Sequence, residues 1–131
     1  MKSVGKHLVM ELWGCKSLNS VEVVELALRE ATKACNATLL DLSVHPFSPI
    51  GITGVAVVSE SHIIIHTWPE YDYAAVDVFT CGSSDPAQAI PVFRRHFAPL
   101  KSQVMVIERG IICPDTMGVA CGLERGAELV S

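Results

Sequence analysis

The chain has 131 residues, half of them hydrophobic, with a net charge of −4 and a mean hydropathy of +0.38. That length suits one domain around one core, and an acidic balance without a Lys/Arg cluster argues against a nucleic-acid partner. No apolar run approaches the roughly 18 residues that cross a bilayer, and the start, Met1 to His7, lacks the apolar centre of a secretion signal. A cytoplasmic protein with no membrane contact is therefore expected.

The first element in chain order is a strand over 6–13, with Leu8, Met10 and Leu12 on one face. Asn19 is placed as the cap of a helix, with Glu22 three residues on. Val21, Val24, Leu28, Ala31 and Cys35 recur at helical spacing behind it. A strand over 37–45 follows, then a turn-rich connection from Pro46 to Gly51. Residues 55–58 and 62–67 read as two strands joined tightly through Ser59-Glu60-Ser61, and 74–80 as another that ends at Cys81-Gly82. Asp85-Pro86 opens a second helix that runs to about Ala98, with Pro91 kinking it or delaying its start. A strand over 103–108 closes the regular structure, and the glycine-containing tail from Gly110 is expected to be an arm or a loosely ordered end. The order β-α-β-β-β-β-α-β predicts a single α+β domain over 1–131. It would be a two-layer sandwich with helices on one face of a mainly antiparallel sheet. The apolar excess predicts burial in an oligomer.

Reactive groups crowd the middle of the chain: Glu60, Ser61, His62, His66, Glu70, Asp72, Asp77 and Cys81. Each has an ordinary explanation as a turn residue, a rim histidine, a buried thiol or a solvated charge. Three chemical readings compete with those explanations. His62 and His66 share a strand face and could ligate a metal with Cys81, although no further ligand is evident. Cys81 with His66 could form a thiol hydrolase. In the third reading, the Ser61 hydroxyl attacks the Glu60 carbonyl and turns the amide into an ester. Elimination then cuts the chain, and hydrolysis leaves a pyruvoyl group at the new N-terminus. Such a ketone condenses with a substrate amine and withdraws electrons as carbon dioxide leaves. Five cysteines (Cys15, Cys35, Cys81, Cys113, Cys121), odd in number and without a CxxC pair, fit free thiols in a reducing compartment.

Ser59-Glu60-Ser61-His62, His66-Thr67-Trp68-Pro69-Glu70-Tyr71, Tyr73-Ala74-Ala75-Val76-Asp77 and Phe79-Thr80-Cys81-Gly82, with the opening Gly5-Lys6-His7-Leu8, resemble the prokaryotic self-cleaving S-adenosylmethionine decarboxylases. The resemblance covers residues 3 to about 110. It implies cleavage between Glu60 and Ser61, into a β chain of 1–60 and an α chain of 61–131, with Ser61 as the precursor of the pyruvoyl cofactor. By the same resemblance His66 assists processing and Cys81 returns a proton to the decarboxylated carbon. Phe47 matches the aromatic that stacks on adenine, and Glu70 falls where a carboxylate is expected near the ribose or the substrate. Metal plays no part. The resemblance also implies a homodimer of processed units with the active site near the interface, acting on a small-molecule substrate to supply spermidine synthesis.

Two positions depart from the family pattern. Thr53 stands where a serine is expected eight residues before Ser61, and Asp72 where a small residue, commonly glycine, is expected. Thr53 keeps a hydroxyl for processing or substrate positioning. An extra carboxylate at Asp72 opens the alternative that the same chemistry acts on arginine or ornithine, whose cationic ends need an acidic partner.

Overall fold

The computed structural model describes residues 2–112 and 127–130. Seven strands form one sheet: β1 (Lys2–Trp13), β2 (Thr38–Pro46), β3 (Ile52–Ser59), β4 (Ser61–Trp68), β5 (Tyr73–Cys81), β6 (Lys101–Ile112) and β7 (Ala127–Val130). Their order across the sheet is β2-β3-β4-β5-β1-β6-β7, and every neighbouring pair is antiparallel. Helices α1 (Val21–Ala34) and α2 (Ile90–Phe97) pack together. The architecture is the expected α+β sandwich.

Strand alternation explains the two layers. Leu8, Met10, Leu12, Ile52, Ala56, Ile63, Ile65, Val76 and Val78 are fully or almost fully buried, together with Val24, Leu28, Phe93 and Phe97 of the helices. Gly54 sets how closely α1 approaches β3, because a Cβ there would stand 2.7 Å from Leu28 Cδ1 and 3.0 Å from Val24 Cγ1. The alternate residues, among them His7, Val9, Val55, Ile64, Asp77 and Phe79, occupy the opposite face and are only half-buried. Val57 on that face is 41 % exposed and Met105 37 %. Part of the apolar surface thus lies on a sheet face that no helix among the described residues covers.

Several sequence expectations need correction. Ser20, not Asn19, caps α1: its backbone is extended, and its Oγ accepts from Val23 N at 3.2 Å. A serine hydroxyl two bonds from its backbone meets that N–H, whereas Asn19 lies one residue too early. Pro91 delays its helix: Asp85 caps a 3-10 turn over Pro86–Ala89, and α2 begins only at Ile90. The sixth strand is twice the expected length. It carries Gly110 into the sheet, and residues 127–130 pair with Val104 to Ile107. Those parts of the tail are therefore strand, and the rest of the expected arm, with Cys113 and Cys121, lies outside the described residues. Cys15, Cys35 and Cys81 are free thiols. No helix among the described residues is long and apolar enough to cross a membrane.

Candidate active site

The β3–β4 hairpin pairs Val58 with Ser61, so Ser59 and Glu60 form a tight turn and Ser61 heads β4. Glu60 is exposed, while Ser61 Oγ is buried and has no hydrogen-bond partner among the described residues. A buried hydroxyl left unpaired is costly in an ordinary turn. Across the end of the sheet, the Cys81 thiol points at the Glu60 carbonyl oxygen at 3.8 Å. Gly5, opposite Cys81, makes room for this approach. A Cβ at Gly5 would stand 3.2 Å from Cys81 Sγ and 2.8 Å from Phe79 Cε1. An open cleft of about 1020 Å³ lies over the group, lined by Gly5, Lys6, Glu60, Thr80, Cys81 and Asp85 among others.

A second cluster occupies the other end of β4. Thr53 and His66 are register partners, with Thr53 Oγ1 2.9 Å from His66 Nδ1. This contact fixes the orientation of the His66 ring through one of its two nitrogens. A cavity of about 310 Å³ gathers Phe47, Thr53, His66, Trp68 and Glu70. Phe47 is 51 % exposed and rests edge-on against His45, with ring centroids 4.6 Å apart.

The sequence-predicted residues thus form two groups. Glu60, Ser61 and Cys81 come together, as do Phe47, Thr53, His66 and Glu70. The groups are not joined within one chain, since five strand steps separate Ser61 from His66, about 16 Å at 3.3 Å per residue. Their side chains also leave opposite faces of the sheet. The same spacing undoes the metal reading, because His62 and His66 are about 13 Å apart along the strand. The thiol-hydrolase reading fails likewise, because the residue opposite His66 is Ala75, six positions from Cys81.

Asp72 lies outside both cavities. It closes the 3-10 turn Pro69–Tyr71 in a left-handed conformation, φ 52°, and its carbonyl accepts from Cys15 N at 2.9 Å. Glycine, asparagine and aspartate tolerate that conformation best, so backbone geometry accounts for an aspartate where glycine is the family habit.

A third group escaped notice as a unit because four strands, β1, β4, β5 and β6, supply it. On the open face His7 Nε2 stands 3.4 Å from Asp77 Oδ1, without hydrogen-bond alignment. Phe79 lies against both His7 and His62, at 5.6 and 5.9 Å between centroids. The Arg109 guanidinium covers Phe79 at 5.0 Å. Burial first, then the nearby His7 and Arg109, push the His62 imidazole below its ordinary value, against the pull of Asp77. Lower on the same face Tyr73 donates to Glu11 at 2.5 Å, and burial followed by that carboxylate raises its phenol.

A hairpin headed by a buried serine, with a thiol at the preceding carbonyl, on a two-layer sheet, defines the class within which relatives are found. The sequence model described as S-adenosylmethionine decarboxylase matches residues 6–110, which takes in both clusters. The chain belongs to the S-adenosylmethionine decarboxylase family. It is 54 % identical over 114 residues to the S-adenosylmethionine decarboxylase proenzyme of Thermomicrobium roseum, covering 86 % of this chain and 98 % of that one. It is 55 % identical to the proenzyme of the same name from Methanococcus maripaludis strain S2, covering 86 % and 94 %. Among solved structures, the adenosylmethionine decarboxylase of Aquifex aeolicus superimposes with a TM-score of 0.80 at 36 % identity, covering 88 % of this chain and 98 % of the other. The Trypanosoma brucei AdoMetDC-delta26 monomer shares the fold at a TM-score of 0.57 and 21 % identity, covering 85 % of this chain and 47 % of the other.

Proposed function

We propose that this chain is an S-adenosylmethionine decarboxylase that makes its own pyruvoyl cofactor by cutting itself between Glu60 and Ser61. The observation that carries the reading is the buried, unpartnered Ser61 hydroxyl beside a carbonyl that already faces the Cys81 thiol at 3.8 Å. The names of the relatives, decarboxylase proenzymes of S-adenosylmethionine, support that substrate over arginine or ornithine. Asp72, exposed in its turn, supplies no reason to prefer a cationic amino acid.

Processing uses the chain's own atoms. Ser61 Oγ attacks the Glu60 carbonyl carbon, the C–N bond breaks, and the amide becomes an ester. Negative charge grows on the Glu60 oxygen during the attack, where the Cys81 S–H can donate to it. Removal of the Ser61 Cα proton then expels the Glu60 carboxylate, and water replaces the enamine nitrogen, which leaves as ammonia. The pyruvoyl ketone supplies the electron sink for decarboxylation. Cys81, already at the cut, is the nearest acid for the substrate carbon. Phe47, Trp68 and Glu70 line the cavity for the adenosyl end.

His66 completes the proposal from a second copy. Some 16 Å of strand separate it from Ser61 in its own chain, and the sheet face that no helix among the described residues covers suits a second copy of the same face. The reading is therefore a cytoplasmic homodimer in which each copy lends its Thr53–His66 pair to the other's serine. Its product would supply aminopropyl groups for spermidine synthesis. Mass spectrometry of the purified protein tests the first step: two fragments are expected, the larger with a ketone in place of its terminal amine. Ser61→Ala should remain one intact chain without activity, and a cut Ser61→Ala protein would refute the mechanism.

A further inference from the structure

Asn19 lies in the turn between β1 and α1, and its side chain turns away from the helix that Ser20 caps. Its Oδ1 accepts from Gly51 N at 3.0 Å, a bond between residues 32 positions apart. Gly51 is the hinge of the connection that carries Phe47. Its φ of +105° is one that side chains resist, and its carbonyl accepts from Phe47 N at 2.8 Å. Residues 46–50 are all exposed, so this loop has little packing of its own to hold it. One end is anchored where Ile52 N donates to Thr67 Oγ1 at 2.9 Å. The side-chain anchor at Gly51 itself is Asn19. Both Phe47 and Gly51 line the 310 Å³ cavity.

We propose that Asn19 is a positioning residue for substrate: it holds the Phe47 loop in the conformation that presents the ring to the adenosyl group. The proposal rests on the reading of Phe47 as the adenine-stacking side chain. A loop that must be ordered during binding costs affinity, and a loop ordered beforehand does not. The ring engages a part of the substrate remote from the carbon that loses carbon dioxide. Its contact is therefore equally strong in the ground and transition states, and its loss falls on KM and not on kcat.

The experiment uses the fully cleaved enzyme with S-adenosylmethionine and follows carbon dioxide release at steady state. Asn19→Ala should raise KM about 3- to 10-fold, the equivalent of one lost hydrogen bond, with kcat and the extent of chain cleavage unchanged. Asn19→Asp keeps the acceptor oxygen and should return KM to near the parent value. Phe47→Leu, run in parallel, should raise KM on its own. A raised KM in Phe47→Leu with an unchanged KM in Asn19→Ala overturns the role of Asn19 and leaves the reading of Phe47 intact. An unchanged KM in Phe47→Leu overturns that reading and the proposal with it. A fall in kcat, cleavage and melting temperature together in Asn19→Ala, not rescued by Asn19→Asp, would assign Asn19 a general structural role and also overturn the proposal.

Discussion

Co-expressing a Ser61→Ala copy with a His66→Ala copy separates an active site built within one chain from one shared between two. Five residues at 3.3 Å put His66 about 16 Å along β4 from Ser61, and proton transfer needs heavy atoms about 3 Å apart. No side-chain rotation closes that gap, and the two side chains leave opposite faces of the sheet. If the processing histidine comes from the partner, each variant expressed alone stays intact, one without the nucleophile and the other without the base. In a mixed dimer the intact Thr53–His66 pair of the Ser61→Ala copy faces the Ser61 of the His66→Ala copy. With random pairing at equal expression, about half of the His66→Ala chains sit in such dimers and should be cut. The assay is a denaturing gel with the two copies distinguished by a tag, followed over hours to separate slow from absent cleavage. The reasoning fails if the mixed population shows no cleavage above the separate variants, or if His66→Ala alone is cut at the parent rate.

Three further outcomes are expected. Thr53→Val keeps the shape of the side chain but removes the hydroxyl at 2.9 Å from His66 Nδ1. Cleavage should slow about 10- to 100-fold through loss of ring orientation, with Thr53→Ser near the parent rate, both read by gel time course. Gly54→Ala places a methyl group 2.7 Å from Leu28 Cδ1. It should destabilise the fold by about 1–3 kcal/mol by overpacking, measured by denaturant titration, and a neutral result would show that α1 is free to shift. His62 is held below the ordinary 6.5 by burial first. Between its folded value and 6.5 the unfolded chain therefore binds more protons than the folded one, so stability falls as pH drops through that window and this contribution is flat above it. His62→Gln should flatten that part of the stability–pH curve, and an unchanged slope would remove His62 as its source.

Glu30 contributes a separate acid-side loss. Bonds from His96 and Arg95 hold its carboxyl below the ordinary 4.5, so the contribution is present above that value and is lost as pH falls through the folded one. His62→Gln should leave this effect in place, because Glu30 takes its bonds from His96 and Arg95 and not from His62.

The amino-acid pattern by itself determined a great deal. The 3.6-residue period of α1, the alternation of β1 and β4, and the turn at Ser59-Glu60 are local properties, encoded by neighbours along the chain. The same holds for the motif from Ser59 to Gly82 that marks the family. Residue type could not reveal what each side chain meets. Asn19 and Ser20 are both good caps, and backbone direction at the turn decides that the serine caps while the asparagine reaches Gly51. Asp72 looked like a charge near a substrate and is a left-handed turn residue. Ser61, His66 and Cys81 read as one crowded site because they lie within 21 positions. Strand geometry pulls them apart: each residue advances about 3.3 Å and alternates sides. Only the register between strands brings Cys81 back to Glu60, and carries Thr53 to His66 at the far end. Hydrogen bonding between strands, not proximity in sequence, decided which of the reactive groups can act on which.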